Sequence, residues 1–373
     1  MRKASTYKND IDRPFLFSVL TLMVFGIIMI SSAGVIYSQV RFDDAYYFFK
    51  HQLFYGILPG LLIMYYMQKI DYHYWKKISF PLFLVSIIFL VLVFVPGLGA
   101  KIYGANRWVD FGFISFQPSE MAKLTLIIYL SSWLDSRGES KTKDFFEGFL
   151  PFLGILGLIG FLILKQPDMG TLGVLVAIAI SIFFVSGAKF SHIISFISFG
   201  IVSLMLLVKL EPYRFNRILA FLDRGNDPQG IGYQINQALL AVGSGGFWGL
   251  GLGHSRQKFS YLPEPVGDSI FAIIGEELGM VGASILVILF FVLAFRGLRI
   301  AKEAPDNLGK LMAVGIVVWI VAQAFINISA NLAIIPLTGI PMPFVSYGGT
   351  SLIFLLASVG ILLNISKQAI NKN

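Results

Sequence analysis

The chain reads Tyr-Arg-Phe-Asn-Arg at residues 213–217, Gly-Ser-Gly-Gly at residues 243–246 and Asp-Ser-Ile-Phe at residues 268–271. These segments lie in the longest part of the sequence, residues 211–279, that is not a nearly continuous run of apolar side chains. Long apolar segments occupy most of the chain on both sides of it. The pattern predicts a bundle of membrane helices that holds one large polar segment at the membrane surface.

The composition excludes an ordinary soluble protein. The 373 residues would suffice for two soluble domains, but 56% of them are hydrophobic and only 13% are charged, whereas soluble domains carry about 25% charged residues. Because unpaired backbone groups are too costly in hydrocarbon, apolar segments of about 20 residues must be helical. We therefore predict an all-α, polytopic membrane protein with ten transmembrane helices, in which residues 1–373 form a single integral-membrane domain.

The distribution of Lys and Arg predicts the orientation of these helices. When the N-terminus is cytoplasmic, most Lys and Arg residues fall in cytoplasmic segments and few fall in the short outer loops, as is usual for membrane proteins. Both termini are then cytoplasmic, and residues 209–268 form one large extracytoplasmic loop between helices 7 and 8. The net charge of +8 does not indicate a nucleic-acid partner, because the basic residues flank the apolar segments instead of forming one patch.

Seven short motifs follow one another along nearly the whole chain. They are Gly104-Ala105-Asn106-Arg107-Trp108, Gln117-Pro118-Ser119-Glu120, Gln166-Pro167-Asp168-Met169-Gly170-Thr171, Gly232-Tyr233-Gln234, Gly243-Ser244-Gly245-Gly246, Tyr261-Leu262-Pro263-Glu264 and Pro343-Phe344-Val345-Ser346-Tyr347-Gly348-Gly349. In this order they resemble the SEDS (shape, elongation, division and sporulation) family, which includes FtsW, RodA and SpoVE. Residues 70–75 are more similar to the FtsW branch than to the RodA branch.

The resemblance implies a peptidoglycan glycosyltransferase of the bacterial cytoplasmic (inner) membrane that serves cell division or elongation. Such a protein polymerises lipid II, a disaccharide–pentapeptide on undecaprenyl pyrophosphate, on the outer face of the membrane. The implied partners are a class B penicillin-binding protein, which is the cross-linking transpeptidase, and other membrane proteins of the divisome or elongasome. The sequence departs from the family at Tyr103, where Asn is frequent, at Gly267, where a hydroxyl or amide residue is frequent, and at His51, which replaces an Arg.

Sugar transfer from a lipid diphosphate needs a base for the acceptor hydroxyl and cations for the leaving group. Asp268 is the candidate catalytic base, because a carboxylate can take up the proton and because the resemblance places the family's essential aspartate at this position. At the rim of a low-dielectric cavity its pKa would be raised. The alternative is a helix N-cap, a common role of Asp, although Phe271 at the third following position gives no capping box. Glu264 is a candidate substrate-binding residue that would position rather than react.

Three basic residues are candidate substrate-binding residues, and two of them, Arg214 and Arg217, are candidates for contact with the diphosphate. Arg214 and Arg217 are three residues apart, so they would share one face of a helix, and guanidinium groups suit phosphate oxygens; anchoring to lipid headgroups is the alternative. Lys123 lies one turn inside the fourth apolar segment, where it could face a polar cavity, pair with Glu120 or extend toward the membrane surface.

Further candidates lie in the other loops. Arg107 and Trp108 could bind and stack on a sugar, or could anchor the loop at the membrane interface. Asp168 could line the cavity or cap a helix. Glu276 and Glu277 are expected to have partners on another helix rather than a catalytic role. The glycines of residues 243–253 lack the ending of a phosphate loop, and we expect them to permit close packing or a re-entrant turn.

No metal site or cofactor can be predicted from ligand spacing, since Cys is absent and the His residues stand apart. A Mg²⁺ ion that bridges the diphosphate and a carboxylate would suit the chemistry but has no signature in the chain. The alternative function is a lipid II flippase, yet a transporter should show paired halves with matching broken helices, and the sequence shows no such repeat. A scaffold that only recruits the cross-linking enzyme would not explain the charges inside the fourth and eighth apolar segments.

Overall fold

The computed structural model describes residues 10–102, 105–112, 115–210, 212–223, 230–259 and 261–369. Helices dominate these residues. In chain order they are α1 (Arg13–Ala33), α2 (Val35–Phe42), α3 (Tyr47–Gln52), α4 (Leu58–Met67), α5 (Tyr72–Lys77), α6 (Ser79–Leu92), α7 (Pro118–Thr142), α8 (Leu150–Lys165), α9 (Met169–Val185), α10 (Phe190–Leu210), α11 (Pro212–Leu222), α12 (Ile231–Gly245), α13 (Ile270–Glu303), α14 (Asn307–Asn331) and α15 (Gly349–Lys367). Two π-helical segments, Leu53–Ile57 and Phe145–Phe149, lead directly into α4 and α8.

The helices confirm a multi-pass membrane protein. Within the described residues, five helical segments are long and apolar enough to cross a bilayer: Arg13–Ala33, Phe145–Lys165, Ile270–Glu303, Asn307–Asn331 and Gly349–Lys367. Shorter apolar helices include Ser79–Leu92 and Met169–Val185. Large apolar side chains on the outer surface, such as Phe199, Phe291 and Phe295, are exposed, as expected for a surface that is covered by lipid.

Helix α14 lies in the interior of the bundle. Most of its side chains are buried, and Trp319 near its middle is completely enclosed. It packs against α7, α9, α13 and α15. Close approach is possible because Gly315 of α14 meets the side chains of Ile127 and Ile182. Polar residues on α14 are therefore surrounded by protein rather than by lipid, which becomes important for the functional site.

The prediction of an all-α fold is wrong in one region. Strands β1 (Gly99–Ile102), β2 (Ala105–Asp110) and β3 (Ser115–Phe116) form an antiparallel sheet in the order β1-β2-β3. The segment lies between two apolar helices, so its backbone groups need partners of their own, and a strand ladder supplies them. The buried Val109 next to the exposed Asp110 shows the alternation of a strand with one covered face.

The described parts of the predicted large loop, residues 209–268, contain helices. Helix α10 reaches Leu210, and α11 and α12 occupy Pro212–Leu222 and Ile231–Gly245. In α12, Ile235, Ala238 and Ala241 are buried and follow helical spacing. The apolar face of α12 packs on α13, so this part of the polar segment is fixed to the bundle.

Glycines allow the chain after α12 to pack directly against a break in α13. The break is at Gly279, whose φ of 65° and ψ of −165° are not helical. The main chain of the preceding segment bonds to the groups that the break leaves free, with Leu250 N donating to Glu276 O over 2.9 Å and Met280 N donating to Gly246 O over 3.0 Å. A Cβ atom at Gly249 would lie 2.2 Å from Glu277 O, so only glycine fits. The expected close packing of this segment is confirmed.

Candidate active site

Asp268 lies immediately before α13, and its main chain is held by two amide side chains of α14. The Nδ2 atoms of Asn327 and Asn331 each donate to the carbonyl oxygen of Asp268 over 2.8 Å. The two asparagines are four residues apart and therefore on the same face of α14. They fix the position of the Asp268 backbone relative to the core of the bundle.

The carboxyl group of Asp268 is held far less tightly. Its Oδ1 atom is buried and has no hydrogen-bond partner among the described residues. Burial, and then the negative charge of Glu264, raises the pKa of Asp268 to about 7, while the charge of Arg217 and a hydrogen bond with Ser269 act in the opposite direction. The N-cap position of α13 is Ser269, and it makes no side-chain capping bond. Asp268 is therefore not the cap of this helix, and its carboxyl group can exchange a proton near neutral pH.

Glu264 is positioned by a tight turn. Its φ of 49° is in the left-handed region, and its carbonyl oxygen accepts hydrogen bonds from the N–H groups of Gly267 and Ser269 at 3.0 and 3.3 Å. Its carboxylate accepts a hydrogen bond of 3.2 Å from the Tyr37 hydroxyl. This turn places one negative charge close enough to Asp268 to disfavour a second one.

Residues 337–341, which we call the hub loop, form the opposite side of the site. Within this loop a Cβ at Gly339 would lie 3.7 Å from Oδ2 of Asp268. Arg217 Nη1 donates to Leu337 O over 3.0 Å, and Asn327 Nδ2 donates to Ile340 O over 2.8 Å. The hub loop thus connects Arg217, Asp268 and α14, and it brings a guanidinium group to the aspartate. The side chain of Arg214, the other predicted arginine, lies outside the described residues.

Of the alternatives for Lys123, which were a polar cavity, the membrane surface and pairing with Glu120, the structure shows the pairing. Their Nζ and Oε1 atoms are 2.8 Å apart, and the Lys123 side chain is 0% exposed. Lys123 also donates to Gln323 Oε1 over 2.8 Å, and Gln323 in turn donates to Pro341 O in the hub loop. Lys123 therefore presents no atom to an open surface here, and its link to Asp268 runs through Gln323 and the hub loop.

Arg107 and Asp168 come together on a different side of the hub loop. Arg107 donates from Nε and Nη2 to the carbonyl oxygens of Gln166 and Pro167, so it ties β2 to the start of α9. Asp168 caps α9 by accepting from Thr171 N at 3.0 Å and Thr171 Oγ1 at 2.8 Å. The capping alternative for Asp168 is thus the one observed.

This second cluster still contacts the site indirectly. A Cβ at Gly170 would meet Ile340 and the carbonyl oxygen of Thr338, so the start of α9 abuts the hub loop. Trp108 pairs with Ala100 across the sheet and is half-buried. Arg107 and Asp168 therefore border the site through the start of α9, whereas the charges of Glu264 and Arg217 influence the pKa of Asp268.

Glu277 has the expected partner on another helix, whereas the partners of Glu276 lie in the non-helical segment that precedes α13. Glu277 accepts hydrogen bonds from Ser32 of α1 and forms a buried ion pair of 3.1 Å with Lys258. Glu276 accepts from Ser255 Oγ and from Arg256 N. The two carboxylates attach the segment before Asp268 to α13 and α1.

Sequence analysis missed Asn327 and Asn331. A signal was present, because Gln323, Asn327 and Asn331 recur every four residues within an otherwise apolar helix, and polar side chains in a membrane segment usually have a specific partner. The structure also shows Ser346 donating to Gly267 O over 2.7 Å, which joins the Pro343–Gly349 motif to the site. At one departure from the family, His51 Nδ1 lies 3.0 Å from the Tyr347 hydroxyl, and another, Tyr103, lies outside the described residues. Within the described part of the chain, no group of three or more His, Asp or Glu residues is arranged to hold a metal ion.

Comparison with known proteins agrees with this architecture over its whole length. A family model described as cell cycle protein, covering FtsW, RodA and SpoVE, matches residues 13–371. The stage V sporulation protein E of Bacillus subtilis (strain 168) is 42% identical, across 98% of this chain and 99% of that protein. The probable peptidoglycan glycosyltransferase FtsW of Geobacter sp. (strain M18) is 40% identical, across 99% of each chain.

Solved structures share the fold. A chain of the structure described as "Structural coordination of polymerization and crosslinking by a peptidoglycan synthase complex" superposes with a TM-score of 0.78 at 28% identity, covering 95% of this chain and 97% of that one. The rod shape determining protein RodA of Thermus thermophilus superposes with a TM-score of 0.71 at 25% identity, covering 96% and 97%. The chain therefore belongs to the family of cell cycle proteins that comprises FtsW, RodA and SpoVE.

Proposed function

We propose that this protein is a peptidoglycan glycosyltransferase that polymerises lipid II into glycan strands on the outer face of the bacterial cytoplasmic membrane. Relatives about 40% identical over the full chain carry the name probable peptidoglycan glycosyltransferase. The proposal depends on one structural observation at Asp268. Its main-chain carbonyl accepts hydrogen bonds from Asn327 and Asn331, while its carboxyl Oδ1 is buried without a hydrogen-bond partner among the described residues. A carboxylate with a pKa of about 7 suits general base catalysis at neutral pH.

In the proposed reaction, Asp268 takes the proton from the acceptor hydroxyl. The oxygen of that hydroxyl attacks the anomeric carbon of the donor sugar, and the bond from this carbon to the diphosphate oxygen breaks. The diphosphate leaves with the bonding electrons on its lipid carrier. Arg217, held at the hub loop, would neutralise the departing charge together with Arg214. Guanidinium groups suit this role because they bind phosphate oxygens in a bidentate manner.

The other predicted substrate contacts divide into two groups. We propose that Arg107 and Trp108 of β2, and Glu264 in the turn before Asp268, contact the sugar or orient it. Lys123 and Asp168 are engaged with Glu120 and with the start of α9, so we propose that they act by holding the walls of the site. If a Mg²⁺ ion takes part, the carboxylates of Asp268 and Glu264 would hold it, and it would supply positive charge for the leaving diphosphate.

We further propose ten membrane crossings with both termini in the cytoplasm. The crossings would be α1, residues 47–67, α6 to α10 and α13 to α15. The large segment between α10 and α13 would then lie outside the cytoplasm with Asp268 at its end. The basic residues Arg296, Arg299 and Lys302 at the far end of α13 support this orientation.

The proposed partner is a class B penicillin-binding protein that cross-links the new strands. The similarity to a chain of a peptidoglycan synthase complex that coordinates polymerization and crosslinking supports this choice. Other divisome or elongasome membrane proteins would complete the assembly. Both FtsW and the sporulation protein SpoVE are among the relatives, so a septal or sidewall position of a fluorescent fusion would distinguish a role in division from one in elongation.

The test uses purified protein, its partner and lipid II in a bilayer. Glycan chains should form with the natural protein, and Asp268→Ala should abolish them while the melting temperature and partner binding are retained. Asp43→Asn, at an exposed carboxylate of another loop, is the matched control and should keep full activity. Full activity of Asp268→Ala would reject the proposed base. Movement of lipid II across the bilayer without polymer would favour the flippase.

A further inference from the structure

Residues 247–252, which we call the 247–252 loop, expose large apolar side chains. Trp248 is 78% exposed and Phe247 is 57% exposed, and Leu250 and Leu252 are exposed as well. Every residue from Gly245 to Gly253 is uncharged, and each one that is not glycine is an apolar Phe, Trp or Leu. A soluble protein would hardly leave such a surface in water.

The 247–252 loop is rigidly attached, so this exposure is a fixed feature of the surface. Its main chain is hydrogen-bonded to both sides of the break in α13, with Gly251 N donating to Glu277 O over 3.0 Å and Val281 N donating to Phe247 O over 3.2 Å. A Cβ atom at Gly279 would lie 2.3 Å from Gly249 N, so the backbone of the loop packs closely against this glycine. The apolar side chains therefore project from the level of the break in α13.

That level can be placed along the membrane normal. Nineteen residues separate Met280 from Arg299, which corresponds to about 28 Å of helix. The hydrocarbon core of a bilayer is about 30 Å thick. With Arg299 at the inner headgroups, the break in α13 and the 247–252 loop reach the outer boundary of the hydrocarbon, which is where Trp is enriched in membrane proteins.

The apolar surface is continuous from this loop onto the face of α13 that meets lipid. Met280, Ile288 and Phe291 are exposed along α13 beneath the loop. An apolar groove of about 630 Å³ between α12, α13 and α14 begins at Gly246 and reaches Phe291. The loop is the outer end of one lipid-facing surface rather than an isolated patch.

We propose that the 247–252 loop inserts into the boundary between headgroups and acyl chains of the outer leaflet, and that this contact sets the height of Asp268 above the hydrocarbon. The connection to Asp268 is stiff, because residues 270–278 are helical and almost all of their side chains are buried. This segment spans at most about 15 Å. The part of the proposal that concerns Asp268 rests on the proposed function, whereas the insertion of the loop does not.

The absence of Cys from the chain permits a direct measurement. Spin labels are attached to Trp248→Cys and, in a second variant, Leu252→Cys, in nanodiscs of phosphatidylethanolamine and phosphatidylglycerol. The controls are Phe291→Cys on the lipid-facing side of α13 and Asp43→Cys in a polar loop. Accessibility to oxygen and to a water-soluble nickel complex reports the depth of each label.

Labels at 248 and 252 should give depths between those of the two controls. A nickel accessibility equal to that at position 43 would overturn the proposal, because the loop would then lie in water. Protection from both reagents would also overturn it, because a protein partner or a second copy would then cover the loop. Both variants are measured, so misfolding of one does not remove the test.

An activity measurement addresses the height of Asp268. Trp248→Asp should lower polymerisation of lipid II at least fivefold in nanodiscs and much less in detergent micelles, which impose no bilayer height, and Trp248→Phe should stay close to the natural protein. An equal loss in micelles and nanodiscs would refute the role in setting the height. Absence of polymer with the natural protein would instead refute the proposed function and leave the measured depth of the loop unaffected.

Discussion

The protonation of Asp268 predicts how the polymerisation rate depends on pH. Only the ionised carboxylate can accept the proton of the acceptor hydroxyl. With a pKa of about 7, about one-tenth of the enzyme has this form at pH 6 and about nine-tenths at pH 8. We expect the rate to rise about tenfold over this interval and to level off above it.

The Glu264→Gln variant tests the cause of the raised pKa. The negative charge of Glu264 is the second contribution after burial, and glutamine removes the charge while its amide oxygen can still accept from Tyr37. The pKa of Asp268 should fall, so the midpoint of the profile should move to lower pH. At pH 6 the variant should then retain a larger fraction of its own maximal rate than the natural protein does.

The assay follows initial rates of glycan formation from lipid II in nanodiscs between pH 5.5 and 8.5. Glu139→Gln, at an exposed carboxylate that pairs with Lys143, is the matched control and should leave the midpoint unchanged. A rate that does not vary between pH 6 and pH 8 would refute Asp268 as a base with this pKa. An upward shift of the midpoint in Glu264→Gln would refute the electrostatic explanation.

Three further substitutions test the scaffold around the site. Asn327→Ala removes the amide that donates to the carbonyl oxygens of both Asp268 and Ile340. If the transition state loses about 1.4 kcal/mol of stabilisation because Asp268 is less well positioned, kcat should fall tenfold with KM little changed. An unchanged kcat would contradict this role of Asn327. Gly249→Ala should lower the melting temperature, since strain at a φ of 83° costs about 1–3 kcal/mol and the new Cβ would collide with Glu277 O, whereas Gly154→Ala, with open space around it, should be neutral or stabilising. Lys123→Met leaves Glu120 buried without its charge partner, so the free energy of unfolding should fall by about 3–5 kcal/mol. A smaller fall in the Glu120→Gln/Lys123→Met double variant, measured by thermal unfolding, would confirm that the unpaired charge is responsible.

The sequence identifies a membrane protein well, because this property depends on the composition of local segments. Long apolar segments must be helical in lipid wherever they lie in the chain, and five helical segments of the described residues meet the length and hydropathy of a membrane crossing. The sheet of residues 99–116 was not predicted, because strands of two to six residues carry little periodic signal.

Only part of the site can be predicted from the sequence. Glu264 and Asp268 are close in the chain, so their electrostatic coupling could be anticipated. Asn331 lies 63 residues beyond Asp268, and only the packing of α14 against the start of α13 reveals that the two meet. Asp168 lies within a family motif, where the sequence is equally compatible with a helix cap and with a substrate contact. The structure shows the cap, because Asp168 accepts from Thr171 N.

The main chain and the carboxyl group of Asp268 are held differently, and this difference matters for the repeated addition of sugars. The main-chain carbonyl of Asp268 is held by donors on a central helix, whereas Oδ1 of the proposed base has no hydrogen-bond partner among the described residues. In the proposed reaction, Asp268 needs only to lose its acquired proton before the next sugar arrives, and its main-chain hydrogen bonds can stay as they are. The rate at which such an enzyme adds sugars to one strand would then depend on the movement of the polymer and not on a slow conformational change of the protein.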